Sequence, residues 1–267
     1  MPADLRRQAR AVLSASDVDE KLRLLERLRD TLSIDAEVDT GLVFEDCLLP
    51  GRPEKPFLVE PKFLAKRSLS KPEGRAALLH AVAHIEFNAI NLACDAVQRF
   101  SRMPAEYYRD WISVAVDEGR HFELLQARLN ALGYRYGDFD AHDGLWEMAE
   151  RTKHSCLERM ALVPRLLEAR GLDVTPGMIE KLRQAADDES ITILEVILVE
   201  EIRHVAIGSR WFAYCCKQEG KDPEREFVAL LQTIGRGALR GPFNRQARLD
   251  SGFSPFELEQ ISRLGGN

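Results

Sequence analysis

Two five-residue segments of this sequence share one form. Asp117-Glu118-Gly119-Arg120-His121 and Glu200-Glu201-Ile202-Arg203-His204 both read acid-Glu-x-Arg-His. Residues i and i+3 share a face of a helix, so each Glu/His pair can offer an oxygen and a nitrogen to the same ion. A further glutamate precedes each pair, Glu86 before Glu118 and Glu168 before Glu201, and the two intervals differ by a single residue. The offset from Glu86 to Glu168 likewise differs by a single residue from that between Glu118 and Glu201. The chain therefore carries an approximate duplication of Glu followed at a distance by Glu-x-x-His.

Four carboxylates gathered among helices need neutralising, because a buried unpaired carboxylate is strongly destabilising or becomes protonated. Two divalent cations balance them, since four carboxylates carry −4, two neutral imidazoles nothing, and two ions +4. The expected metal ligands are therefore Glu86, Glu118, His121, Glu168, Glu201 and His204. Carboxylate-rich oxygen and nitrogen ligation suits iron(II) or manganese(II), and the sequence does not choose between them. The competing account leaves these side chains solvated or paired with Arg120, Arg203, Arg165 or Arg170. Glu158 competes with Glu168 for the fourth carboxylate place, but its intervals to Glu86 and Glu201 break the duplication and it falls off the apolar stripe of its helix. No further catalytic residue and no separate cofactor motif stand out. His80 and His84 lie on the helix of Glu86 but are spaced wrongly for a chelate with it, and are expected to support the site or pack.

Helices must present these residues. Residues 73–100 show an apolar stripe that includes Val82, Glu86, Ile90 and Val97, and residues 104–133 show another with Trp111, Glu118, His121 and Leu125. Pro104 suits a helix start and Gly133 a helix end. Glu86 lies as far before Phe100 as Glu118 lies after Pro104, so at ~1.5 Å per residue both stand ~21 Å from their connecting turn. A third helix is expected over about 145–170, kinked at Pro164, then interrupted and restarted between Gly171 and Pro176. A fourth is expected from about Asp187 to Gln218. Glu168 lies farther before that last turn than Glu201 lies after it, a mismatch of more than one helical turn that the interruption is expected to absorb. Residues 5–33 read as two short helices, with Ser16 and Asp17 opening the second, and residues 35–72, with five prolines, as an irregular arm. The tail combines a helix after Pro223, an Arg- and Gly-rich segment, and a last helix opened by the capping box of Ser254 and Glu257. No segment alternates as a strand would. The expected organisation is 1–72 as N-terminal helices and arm, 73–220 as the helical bundle, and 221–267 as a C-terminal helical extension.

The pattern of one Glu, then Glu-x-x-His, occurring twice resembles the ligand set of the ferritin-like di-iron carboxylate superfamily. More closely, Gly74 to Phe253 resembles an uncharacterised bacterial family of ferritin-like proteins. The matching segments are HAVAHIEFNAI around Glu86, DEGRHF around Glu118, MALVPRLLEARGLDVTP around Glu168, EEIRHVAIG around Glu201, and LRGPFNRQAR in the tail. The Glu-Ala-Arg run at Glu168 is also similar to the third-helix ligand segment of tRNA-modifying di-iron hydroxylases. The resemblance implies an all-α, ferritin-like four-helix bundle with a dinuclear metal site, and it brings no substrate with it.

Composition narrows the function. The 37 Lys plus Arg against 43 Asp plus Glu give a net charge of −6, which argues against a nucleic-acid partner. Five scattered cysteines with no CxxC argue against a disulfide framework and a cysteine-zinc site. The absence of a signal-like apolar segment and of a stretch near ~20 apolar residues leads to an expected cytoplasmic location and no membrane partner. The leading expectation is a dioxygen-dependent oxidoreductase, a hydroxylase or oxidase, which would need a companion electron-donating reductase because no flavin or dinucleotide motif is present. The alternatives are an iron-handling ferroxidase or peroxide-detoxifying protein, and a metal-free helical interaction protein. A homo-oligomer is compatible with the sequence. Arg236, Arg240, Arg245 and Arg248 form a basic run that reads as a solvated face, or alternatively as a cover for the site or a hold for an anionic substrate; in either case the tail is expected to control access and leave the bundle to stand without it.

Overall fold

Helix ends in this chain are set by short-range chemistry that the sequence announces. Asp4 accepts from the backbone N–H groups of Arg6 and Arg7 to open α1 (Leu5–Ser14), and Asp17 accepts from Glu20 N to open α2 (Val18–Thr31). Pro72 begins α3 (Pro72–Arg99), while Pro104 caps α4 (Ala105–Ala131) from just outside its first residue. Beyond α4, Gly133 has φ +84°, its N–H donates to Asn130 O and that of Tyr134 donates to Leu129 O, the doubly bonded left-handed stop that favours glycine. The computed structural model describes residues 4–32, 36–65, 67–235 and 237–265. Among these the fold is all-helical, with one isolated parallel bridge between Leu58 and Ala141 and no strand. The chain forms two compact units, residues 1–146 and 147–267.

In the first unit, α3 and α4 pack along their length, and α1 and α2 lie against them. Buried Arg6 ties the irregular arm down by donating to the carbonyls of Asp39 and Leu42 as well as to Val97 and Gln98 near the end of α3. Lys21, also buried, donates to the last carbonyls of α1 (Val12 and Leu13) and to Asn91 Oδ1 on α3, and burial lowers its pKa to about 8. Helix α3 is long and apolar enough to cross a membrane, yet 78% of its most apolar window is buried within the protein.

The second unit departs from expectation. After α5 (Gly144–Arg151) the helix breaks at Thr152–Ser155, where buried Arg159 bridges the gap by donating to Ala149 O and Thr152 Oγ1. From there α6 (Cys156–Leu162), a π-helical segment (Val163–Glu168) and α7 (Ala169–Gln184) run on without interruption. Pro164 therefore produces a π-segment in place of a simple kink, and Gly171 and Pro176 lie inside α7, where a break was expected. The tail explains the tolerance. Pro176 has no N–H to give the Leu172 carbonyl, and Asn244 Nδ2 donates to that carbonyl instead at 3.2 Å. Helix α8 (Asp188–Gln218) follows, then α9 (Pro223–Thr233), α10 (Arg245–Asp250) and α11 (Pro255–Gly265).

The capping box forms as expected, with Glu257 N donating to Ser254 Oγ and Ser254 N to Glu257 Oε2. Glu257 is also half of a buried ion pair with Arg165 (2.8 Å), whose guanidinium lies over the rings of Phe212, Phe227 and Phe253. Arg248, expected to face solvent or an anionic substrate, is buried and paired with Asp173 of α7 at 2.8 and 3.0 Å. Arg245 is exposed, the carbonyl of Arg240 accepts from Arg170, and Arg236 lies outside the described residues. The tail thus supplies buried structure to the second unit, contrary to the expectation that it only controls access. All five cysteines are free thiols.

Candidate metal centre

In the first unit, Glu86 lies as far before the end of α3 at Arg99 as Glu118 lies after the start of α4 at Ala105, so the short connection at Phe100–Pro104 sets them at equal height. His121 follows Glu118 by one turn. Its Nδ1 lies 3.1 Å from Glu86 Oε2 and 3.3 Å from Glu118 Oε2. The ligand atoms of the three residues lie within 4.8 Å of one another. All three side chains are buried, at 4%, 1% and 0% exposure. Burial by itself would lower the His121 pKa, but hydrogen bonds with Glu118 and Glu86 outweigh it and push the value up to about 11. Both carboxylates thus favour the protonated ring, in the place where a cation would serve the same electrostatic purpose.

The second unit repeats the arrangement in part. Glu201 Oε1 lies 3.2 Å from His204 Nδ1, one turn along α8, and both residues are buried. The same ring nitrogen faces the carboxylate in both units. Glu168 ends the π-segment, which packs against α8. Gly208 makes that approach possible, since a Cβ there would lie 2.5 Å from Cβ and Cγ of Pro164. The step from Pro164 to Glu168 equals that from His204 to Gly208, so the antiparallel register set by the Ala185–Asp187 turn puts Glu168 and His204 at one level. Glu168 stands slightly farther from the end of α7 at Gln184 than Glu201 stands from the start of α8 at Asp188, a height difference of less than one turn at ~1.5 Å per residue. No helix break absorbs the spacing mismatch seen in the sequence, because α7 is continuous; the position of the Ala185–Asp187 turn leaves the smaller offset. Glu168 is 9% exposed, whereas Glu158 is half-buried and engaged with His154 at 3.2 Å.

Two of the arginines that could have neutralised these glutamates are committed elsewhere, Arg165 to Glu257 and Arg170 to Asp173 and the tail carbonyls. Arg120 and Arg203 are exposed, and Asp117 and Glu200 are half-buried. His80 and His84 take no part with Glu86. His80 Nε2 accepts from Gly137 N, and His84 contacts the Tyr136 hydroxyl and Asn88. Tyr136 and Asn88 escaped sequence analysis because neither carries a spacing signal. The donor types, two carboxylates with an imidazole in the first unit and a second Glu-x-x-His pair in the other with Glu168 at the level of His204, fit hard divalent cations and no thiolate-preferring metal.

A family model described as "Protein of unknown function (DUF455)" matches residues 14–259. An uncharacterised protein of Haemophilus influenzae is 44% identical over 265 residues, covering 95% of this chain and 92% of its own. No solved structure matches the chain.

Proposed function

This chain belongs to the DUF455 family, and we propose that it is a ferritin-like dinuclear carboxylate protein whose two ions serve a dioxygen-dependent oxidation of an organic substrate. The proposed ligands are Glu86, Glu118 and His121 of the first unit and Glu168, Glu201 and His204 of the second. The observation that carries this proposal is the recurrence of one buried unit, a helical Glu-x-x-His with Nδ1 set 3.3 Å from its glutamate in one half and 3.2 Å in the other. Buried carboxylates retained twice in the same geometry are costly as packing and useful as ligands.

Two reduced iron or manganese ions, when bound, supply electrons to dioxygen and a Lewis-acidic surface. The chain's own contribution is distinct. Helices α3 and α4 exclude water from Glu86 and Glu118, and His121 Nδ1 is placed to hold a proton between them. The π-segment presents Glu168 at the level of His204. Electrons would come from a separate reductase.

Anaerobic reconstitution followed by elemental analysis, with anomalous scattering at the iron and manganese edges, tests the centre. Two ions per chain are expected, with loss of metal in Glu118→Ala and Glu201→Ala. Unchanged metal content in both variants would refute the assignment. Product analysis after turnover with a chemical reductant and dioxygen then separates substrate oxidation from simple iron oxidation.

A further inference from the structure

Helix α3 carries a second polar face. Ala77, Ala81, His84, Ile85 and Asn88 recur along one stripe, turned about 200° from Glu86. The two alanines, of which Ala81 is exposed, leave a hollow there, which the chain at Phe63 and Leu64 on one side and at Phe139, His142 and Leu145 on the other borders as a partly open cavity of about 200 Å³. Phe63 and Ile85 are exposed at 66% and 39%, which gives the cavity an apolar rim.

Asn88, 1% exposed, forms part of its wall. The Asn88 Nδ2 group donates to the His84 carbonyl at 3.1 Å, and because that carbonyl can only accept, the orientation of the amide is fixed. Nδ2 also stands 2.9 Å from His84 Nε2, so this nitrogen accepts and His84 Nδ1 donates to the Tyr136 hydroxyl at 2.8 Å. Burial lowers the His84 pKa to about 4, so the ring stays neutral. The remaining end of the amide, Oδ1, is buried and meets no donor from the described residues. A buried acceptor left in that state is destabilising and is ordinarily matched by a ligand or a water.

We propose that this cavity binds a neutral single-ring molecule bearing one hydrogen-bond donor, with phenol as its simplest form. The ring would rest among Phe139, Leu145, Ile85 and the two alanines, and its O–H would donate to Asn88 Oδ1. Size favours one ring, since an apolar cavity of about 150 Å³ accommodates benzene. An anion is disfavoured because Arg67, the wall's cation, is engaged with Glu73 at 3.1 Å and lies over the Phe139 ring, and because Asp140 lines the same wall. Binding here requires no metal, and its failure would leave the metal-centre proposal untouched because the cavity lies on the opposite side of α3 from Glu86.

The test titrates the full chain with phenol and with toluene, following the methyl resonances of Ala81 and Ile85 by NMR. Both probes should shift these signals. The ratio of phenol to toluene affinity should fall about 2- to 10-fold in Asn88→Leu, which removes the acceptor while keeping the volume. Ala81→Phe should fill the cavity and abolish binding of both probes, with helicity and metal content unchanged. Absence of shifts at millimolar phenol would overturn the proposal and leave Asn88 to a bound water. So would an unchanged affinity ratio in Asn88→Leu, or persistent binding in Ala81→Phe.

Discussion

Metal and proton compete for His121. In the metal-free protein, against the lowering effect of burial, Glu118 and Glu86 raise its pKa from 6.5 to about 11. Because the folded value lies above the unfolded one, the stabilisation from this contact is fully present below about 6.5 and is lost as pH rises through about 11. Across the intervening range the imidazole is protonated and cannot coordinate through Nδ1, the atom turned toward both carboxylates. A cation bound there must expel about one proton, so apparent affinity should fall about tenfold for each unit of pH lowered, or about 100-fold from pH 9 to pH 7. Manganese(II), which resists oxidation during handling, is the suitable probe. Calorimetric titrations at pH 7.5 in buffers of different ionisation heat count the released protons directly. The wild-type chain should release at least one, and His121→Ala should release about one fewer. Manganese binding with no proton release, or equal release from both proteins, would refute the competition.

Three other perturbations follow from the packing. Gly208→Ala should lower stability by about 1–3 kcal/mol, because the new Cβ would meet Pro164, and should also reduce metal content by displacing the π-segment that ends in Glu168; thermal unfolding and elemental analysis read the two effects. Asp173→Ala leaves the buried Arg248 guanidinium without its carboxylate and should lose about 3–5 kcal/mol in urea denaturation, with part recovered when Arg248 is also replaced by Met. Glu168→Ala should release metal while Glu158→Ala retains it, since Glu158 is half-buried beside His154; the opposite result would move the fourth ligand one helix segment upstream.

The candidate glutamates and histidines, their duplication and the matched heights of Glu86 and Glu118 are all legible in the sequence, because helix periodicity and rise are local properties of the chain. The helix starts at Asp17 and Ser254 and the stop at Gly133 are legible for the same reason, each depending on a side chain or φ angle within a few residues. The uninterrupted passage through Pro176 is not, since the donor that satisfies the Leu172 carbonyl comes from Asn244, far along the tail. Arg248 looked like one member of a solvated basic run until Asp173, on a helix remote in sequence, buried it. The π-segment likewise needed Gly208 on α8 to admit the ring of Pro164. Local sequence sets where helices begin, end and turn their faces. Partners brought from distant parts of the chain decide which charges are buried and whether a helix survives its proline.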